Sequence, residues 1–355
     1  MSVHRKNDYL EVNIRGSGAF VRTESMRRLG TADSFAFDCD GTLISTAGSY
    51  DRATYETVER VLRELHDMSI STAGHGKDML MALRMTGHYN NDWDSAFAMI
   101  LFGSMAIAGL DGRSVTATSR EIMDAAKGTA LRFTESGQAV DVDAMVEYAR
   151  RFYLSMGKEG DFIRIVGHMN YPNLPHESRL ASLYMELYEQ FCDTEYPIID
   201  RATVEALISL SGGKKPAIIT GNYSRRVREV LGGVLQLFSE EASLFLGDME
   251  TSGSKELALF RKPSPEGILR AKKAMGSTSL LYFGDSGEDQ LMAARARRKG
   301  ADVMFAGVTG HSLDPERFTD YFLEKGADAV LTSVGQAPEL ISMLRKGDPA
   351  PTGLV

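Results

Sequence analysis

The chain has 355 residues, 43% hydrophobic and 25% charged, with a formal net charge of −8. That length allows two domains and a sizeable core of ordinary globular composition, while the acidic balance argues against nucleic acid as a partner. Two cysteines imply no disulfide framework, and with no apolar run of about 18 residues and no hydrophobic opening segment, a cytoplasmic protein with no membrane partner is expected.

In chain order, residues 8–22 alternate in character around Gly16-Ser17-Gly18, a hairpin signal. It belongs to an N-terminal extension over residues 1–30, which either extends a core sheet or makes an oligomer contact, so a homo-oligomer stays open. Ser34 to Leu43 (Ser-Phe-Ala-Phe-Asp-Cys-Asp-Gly-Thr-Leu) then reads as a buried strand ending in two acids, Asp38 and Asp40. Gly41 permits the sharp turn that follows. Cys39 should face away from both acids and serve as a small buried filler.

From residue 50 to about 197 the sequence reads as almost entirely helical. Residues 52–66 carry apolar side chains at Tyr55, Val58, Val61, Leu62 and Leu65, a helical stripe. Similar patterns recur at 77–85, 93–110, 119–133, 142–156 and 177–192. The segment 84–94 holds the only tryptophan and is dense in polar groups. Arg84 or Lys77 suits an anionic group there, and Asn90, Asn91 or Asp92 suits hydroxyls. Equally, Asn91 and Asp92 suit a helix cap, with Trp93 as its anchor.

Beyond residue 205, apolar strands and helices alternate: strands at 217–220, 243–246, 280–284, 301–306 and 329–332, helices at 224–231, 265–274, 289–298, 315–325 and 335–345. Alternation of this kind predicts an α/β fold, a Rossmann-like, doubly wound parallel sheet. Ala217 to Asn222 ends in a hydroxyl, Thr220; Arg261-Lys262-Pro263-Ser264-Pro265 follows, then Leu280 to Asp289 with two more acids. Open sheets of this kind bind ligands beyond the carboxyl ends of their strands, where all four segments fall.

Their chemistry is complementary. Asp38 can attack phosphorus and form an aspartyl-phosphate, and Asp40 can protonate the leaving oxygen and later deprotonate water. Thr220, with Gly221 and Asn222 after it, meets the transferring phosphoryl group, while Lys262 offsets the repulsion between Asp38 and phosphate. Mg²⁺ suits such an acidic site: Asp285 would complete it with Asp38 and the backbone carbonyl of Asp40, and Asp289 would orient a metal-bound water or Lys262. Singly, these segments also read as a turn, a loop lysine and helix N-termini. Their joint order carries the chemistry.

Asp38-Cys39-Asp40-Gly41-Thr42-Leu43, Thr220-Gly221, Lys262-Pro263-Ser264-Pro265 and Gly284-Asp285-Ser286-Gly287-Glu288-Asp289 resemble motifs one to four of the haloacid dehalogenase superfamily. The resemblance covers residues 33–50 and 205–345. It implies a Rossmann-like core, Mg²⁺ dependence and phosphatase activity, with Asp40 separating this chain from the dehalogenases. It also implies that the helical block is an enlarged type-one cap, a lid over the catalytic face with an extra insertion around residues 112–175. The expected division is a core of 31–49 and 205–346, a cap of 50–204 and a tail of 347–355.

The resulting expectation is a Mg²⁺-dependent phosphomonoesterase acting on a small phosphorylated metabolite. Its rivals are a sugar-phosphate mutase using the same intermediate, a phosphonate hydrolase with Lys77 forming an imine, and a non-catalytic sensor of a phosphate ligand. Arg225 and Arg226 read as an exposed helical pair or an anion contact. His311 reads as part of a loop at the metal-side rim rather than as a base.

Overall fold

The computed structural model describes residues 8–347 apart from 73, 90, 111–116, 137–138 and 173–176. Two units divide them, one formed by Met1–Thr46 with Glu195–Val355 and the other by Ala47–Thr194.

In the first unit, short apolar runs become strands buried on both faces, as parallel sheets require. These are β3 (Ser34–Phe37), β6 (Ala217–Thr220), β8 (Leu280–Gly284) and β9 (Val303–Val308), in which every residue is buried. With β7 (Leu244–Phe245), β10 (Ala329–Leu331) and the hairpin β1 (Tyr9–Ile14) and β2 (Ser17–Arg22), they form an eight-stranded sheet. Its order is β1-β2-β10-β9-β8-β3-β6-β7. The pairings from β10 to β7 are parallel, whereas β2 runs antiparallel to both β1 and β10. The hairpin therefore extends the core sheet. A separate antiparallel pair joins β4 (Ile44–Ser45) to β5 (Tyr196–Pro197).

Register places Phe37 opposite Phe283, and their rings stack at 4.8 Å with planes 9° apart. This pair lies one residue before Asp38 and two before Asp285, so core packing fixes the strand ends that present the acids. The unit's apolar core also takes in Val12, Ile14 and Val21 of the hairpin, and Ile199, Val204 and Leu207. The last three place residues 195–204 in the core, not in the helical insertion to which the sequence reading assigned them. The break falls at Thr46 and Glu195 because helix Arg201–Leu210 buries its apolar face among core residues.

In the second unit, helices Arg52–His66, Gly76–Arg84, Asp92–Gly109, Ser119–Thr134, Val142–Ser155, Glu159–Met169 and Arg179–Phe191 pack around the third. Ser95 to Ile107 of that helix are all buried, the pattern of a helix surrounded by others. Helix Glu159–Met169 was not foreseen. Its buried stripe is sparse (Phe162, Ile165, Met169), and Gly160 and Gly167 lower its helical propensity. No helix among the described residues is long and apolar enough to cross a membrane.

Candidate active site

The end of β3 is shaped by backbone bonds. Asp38 N donates to Phe283 O at 2.8 Å, continuing the ladder one residue past the strand. The Cys39 carbonyl then accepts from the amides of Thr42, Leu43 and Ile44 at 3.2, 2.7 and 3.0 Å, reversing the chain within one turn. Gly41 sits in the left-handed region at φ 71°, and a Cβ there would overlap the Asp285 carboxylate. Only glycine meets both demands. Cys39 is buried in the apolar core, and burial with the nearby Asp40 and Asp38 charges pushes its thiol up, so it stays an inert filler.

Asp38 and Lys262 are 2.6 Å apart, and the same ammonium donates to Asp289 Oδ1 at 2.8 Å. Lys262 and Asp38 have side chains only 6% exposed, and that of Asp289 is fully buried. Carboxylate oxygens of Asp38, Asp285 and Asp289 lie within 4.8 Å of one another, and Asp285 is the partly exposed member. The Asp38 and Asp285 carboxylates, as hard oxygen donors, fit a divalent ion such as Mg²⁺. The Asp40 carboxylate is not in this group.

Asp40 instead accepts a hydrogen bond from Asn222 Nδ2 at 3.0 Å. Asn222 is placed by its own amide, which donates to Thr220 Oγ1 at 3.0 Å, and by its Oδ1, which accepts from Tyr223 N at 2.7 Å. Thr220 and Asn222 are both buried at the end of β6. Thus Asp38, Asp40, Thr220, Asn222, Lys262, Asp285 and Asp289, drawn from four distant segments, belong to one unit, with Asp38, Lys262, Asp289 and Asp285 in one cluster and Asp40, Asn222 and Thr220 in another.

Burial pushes the Asp38 carboxyl up to about 6, although Lys262 pulls the other way. Asp40 is pushed well above the usual carboxylate range, first by burial and then by the Asp38 charge, against the Asn222 hydrogen bond. Burial alone would favour a neutral Lys262, but Asp289 and Asp38 hold it firmly charged.

Two groups at the site were not assigned roles from sequence. Tyr282 donates its hydroxyl to Asp289 Oδ1 at 2.7 Å. Ser286 caps helix Gly287–Arg298 by accepting from Asp289 N at 3.2 Å, and its hydroxyl donates to Asp289 Oδ2 at 2.6 Å. The Ser-x-x-acid spacing of a capping box was legible in the sequence. Tyr282 had no comparable signal, since a tyrosine in a buried strand reads as core.

The remaining candidates are placed as follows. Arg84 lies between Asp51 (2.7 Å) and Asp92 (2.8 Å), and Tyr184 donates to the other Asp92 oxygen at 3.0 Å. Asn91 accepts from Trp93 N at 2.9 Å and caps its helix. Asn90 lies outside the described residues. Arg225 is exposed, but Arg226 is not: it pairs at 2.7 Å with Glu195, whose side chain is fully buried. A buried carboxylate on the returning chain draws Arg226 inward, which the sequence does not reveal. His311 follows β9 and packs edge-on to Tyr196, and burial lowers its pKa.

The family model for haloacid dehalogenase-like hydrolases matches residues 32–297. The chain belongs to this hydrolase family. No curated protein sequence matches it significantly. Among solved structures it is similar to the phosphatase Tt82 from Thermococcus thioreducens, at 21% identity and a TM-score of 0.40 over 82% of this chain and 99% of that one. A phosphonoacetaldehyde hydrolase-like protein from Oleispira antarctica is similar at 12% identity and a TM-score of 0.42, over 89% and 95%. A predicted phosphoglycolate phosphatase from Haemophilus somnus 129pt is similar at 16% identity and a TM-score of 0.40, over 87% and 97%. Within the family, motif one of this chain carries both acids, Asp38 and Asp40.

Proposed function

We propose that the protein is a Mg²⁺-dependent phosphomonoesterase acting on a small phosphorylated metabolite through an aspartyl-phosphate. The observation that carries this reading is the unequal partnering of two neighbouring carboxylates. Asp38 pairs directly with a cation, Lys262, whereas Asp40 accepts a hydrogen bond from a neutral amide, Asn222. Paired acids held in different environments divide into nucleophile and proton carrier.

In this reading Asp38 attacks the phosphorus as its P–O ester bond breaks, and Asp40 gives its proton to the departing oxygen. Asp40 then takes a proton from the water that attacks the aspartyl-phosphate, which releases inorganic phosphate and restores Asp38. Thr220 accepts from Asn222 N, which leaves its own hydrogen for a phosphoryl oxygen. Lys262 balances the charge of Asp38 and of the incoming phosphoryl group. Mg²⁺, when held by Asp38 and Asp285 with the Asp40 carbonyl, would supply further charge neutralisation.

The test is inorganic phosphate release from a panel of phosphorylated metabolites, with and without Mg²⁺, for wild type and Asp38→Asn. Wild type should turn over at least one compound class only with Mg²⁺. Asp38→Asn should lose about 10³-fold or more in kcat while keeping its fold. Substantial Mg²⁺-dependent activity in that variant would refute the nucleophile assignment. Loss of substrate with no inorganic phosphate released, the phosphoryl group appearing instead on a second alcohol, would point to transfer rather than hydrolysis.

A further inference from the structure

Asp289 has every acceptor position taken. Its Oδ1 receives the Lys262 ammonium at 2.8 Å and the Tyr282 hydroxyl at 2.7 Å. Its Oδ2 receives the Ser286 hydroxyl at 2.6 Å and the Ser286 amide at 3.3 Å. A carboxylate offers about four lone-pair sites, so these four donors occupy it. The residue is fully buried, and it packs against a glycine: a Cβ at Gly284 would meet Asp289 Cβ at 2.5 Å. Such a group is a fixed counter-ion, not a mobile ligand.

Tyr282 is likewise fully buried, with its ring 6.3 Å from that of Phe305. A phenol is worth placing inside an otherwise apolar strand only where its hydroxyl finds a partner. Here the partner is Asp289, and the contacts run Tyr282 to Asp289 to Lys262 to Asp38 at 2.7, 2.8 and 2.6 Å.

We propose that Tyr282 is a positioning residue for phosphoryl transfer, its hydroxyl fixing Asp289, which in turn fixes Lys262 against Asp38. The inference rests on the phosphomonoesterase reading and extends it. Lys262 has a flexible four-carbon stem and one compact charge, so its catalytic value depends on where the ammonium is held. A displacement on the order of 1 Å at such a site costs rate far more than binding. Tyr282 touches no reacting atom.

The test compares wild type, Tyr282→Phe and a control, Tyr153→Phe, whose buried hydroxyl has no partner among the described residues. Tyr282→Phe should keep its melting temperature within a few degrees and lose about tenfold in kcat, the worth of one hydrogen bond to a charged group. Its KM and its half-saturating Mg²⁺ should stay within about threefold, and p-aminophenylalanine at position 282, which keeps a donor, should restore kcat. Orthovanadate, which takes the five-coordinate geometry of the transferring phosphoryl group, should bind about tenfold more weakly to Tyr282→Phe by calorimetry in MgCl₂. Tyr153→Phe should match wild type throughout.

Unchanged kcat and vanadate affinity in Tyr282→Phe would overturn the proposal. So would a rise in half-saturating Mg²⁺ as large as the fall in kcat, because the hydroxyl would then act through the metal. A wild type that neither hydrolyses any compound nor binds vanadate would overturn the phosphomonoesterase reading as well. If wild type binds vanadate without hydrolysis and Tyr282→Phe loses that binding, the positioning role stands while the hydrolase reading falls. Should the phenylalanine variant not fold, Tyr282→Met carries the same comparison.

Discussion

Gly41 shows how one residue joins the backbone of the turn to the acids around it. Its φ of 71° costs a side-chain-bearing residue about 1 kcal/mol, and any Cβ would also displace the Asp285 carboxylate that packs there. Gly41→Ala is therefore expected to fold with modestly lower stability and to need about tenfold more Mg²⁺ for half-saturation. A Mg²⁺ titration of activity checks this, and an unchanged half-saturation point would show that Asp285 does not serve the metal. At this scale the sequence was most informative where chemistry needs an acid or a cation: Asp38, Asp40, Lys262 and Asp285 stood out by type and order. It was silent on residues that act through another. Tyr282 reaches Asp289 across the turn from strand to helix, and Arg226 reaches Glu195 on another segment, and neither pairing follows a residue-type pattern.

Elements were legible where periodicity and burial agree. The mostly apolar runs of β3, β6 and β8 gave the parallel sheet, because a strand covered on both faces has no polar face to show. The hairpin was legible as a hairpin, but its partner was not. That partner is β10, and Gln336 adds to the pairing, donating to the Ile14 and Ser17 carbonyls at 3.3 and 3.2 Å and accepting from Thr332 N at 2.9 Å. In the helical unit, the polar segment near Trp93 allowed a substrate-facing or a structural reading, and Arg84, Asn91 and Asp92 each contact groups of the chain itself. Arg84 ties the residue before helix Arg52–His66 to the start of helix Asp92–Gly109 through Asp51 and Asp92. All three side chains are at least four-fifths buried. Burial pushes Asp92 up despite Arg84, which marks the strain of gathering two carboxylates there. Removing the cation leaves both acids uncompensated, so Arg84→Leu should cost about 3 kcal/mol in urea unfolding. A stable Arg84→Leu protein with a raised KM would instead assign Arg84 to substrate.

At the scale of the whole molecule, two units with separate cores need not respond to pH alike. His66 ends helix Arg52–His66 in the helical unit, with Nε2 2.9 Å from Ser104 Oγ. Burial, followed by the Arg164 charge, pushes its pKa down from 6.5 to about 4, while Asp161 pulls weakly upward. The unfolded chain then takes up its proton first as pH falls. The His66 contribution is complete above pH 6.5 and is lost progressively between 6.5 and 4. The shift corresponds to about 2 kcal/mol once the partial exposure of the ring is allowed for. His311 in the core unit moves in the same direction through burial. Asp33, also in that unit, is held well below the usual range by hydrogen bonds from Thr278 and Lys214 despite its burial, so its contribution falls only below pH 3.8. His66→Gln keeps a hydrogen-bonding group near Ser104 and cannot take a charge. It should flatten the decline in stability between pH 6.5 and 4.5, measured by calorimetric melts across that range. If wild type and His66→Gln lose stability in parallel, His66 is not the group that makes the helical unit sensitive to acid.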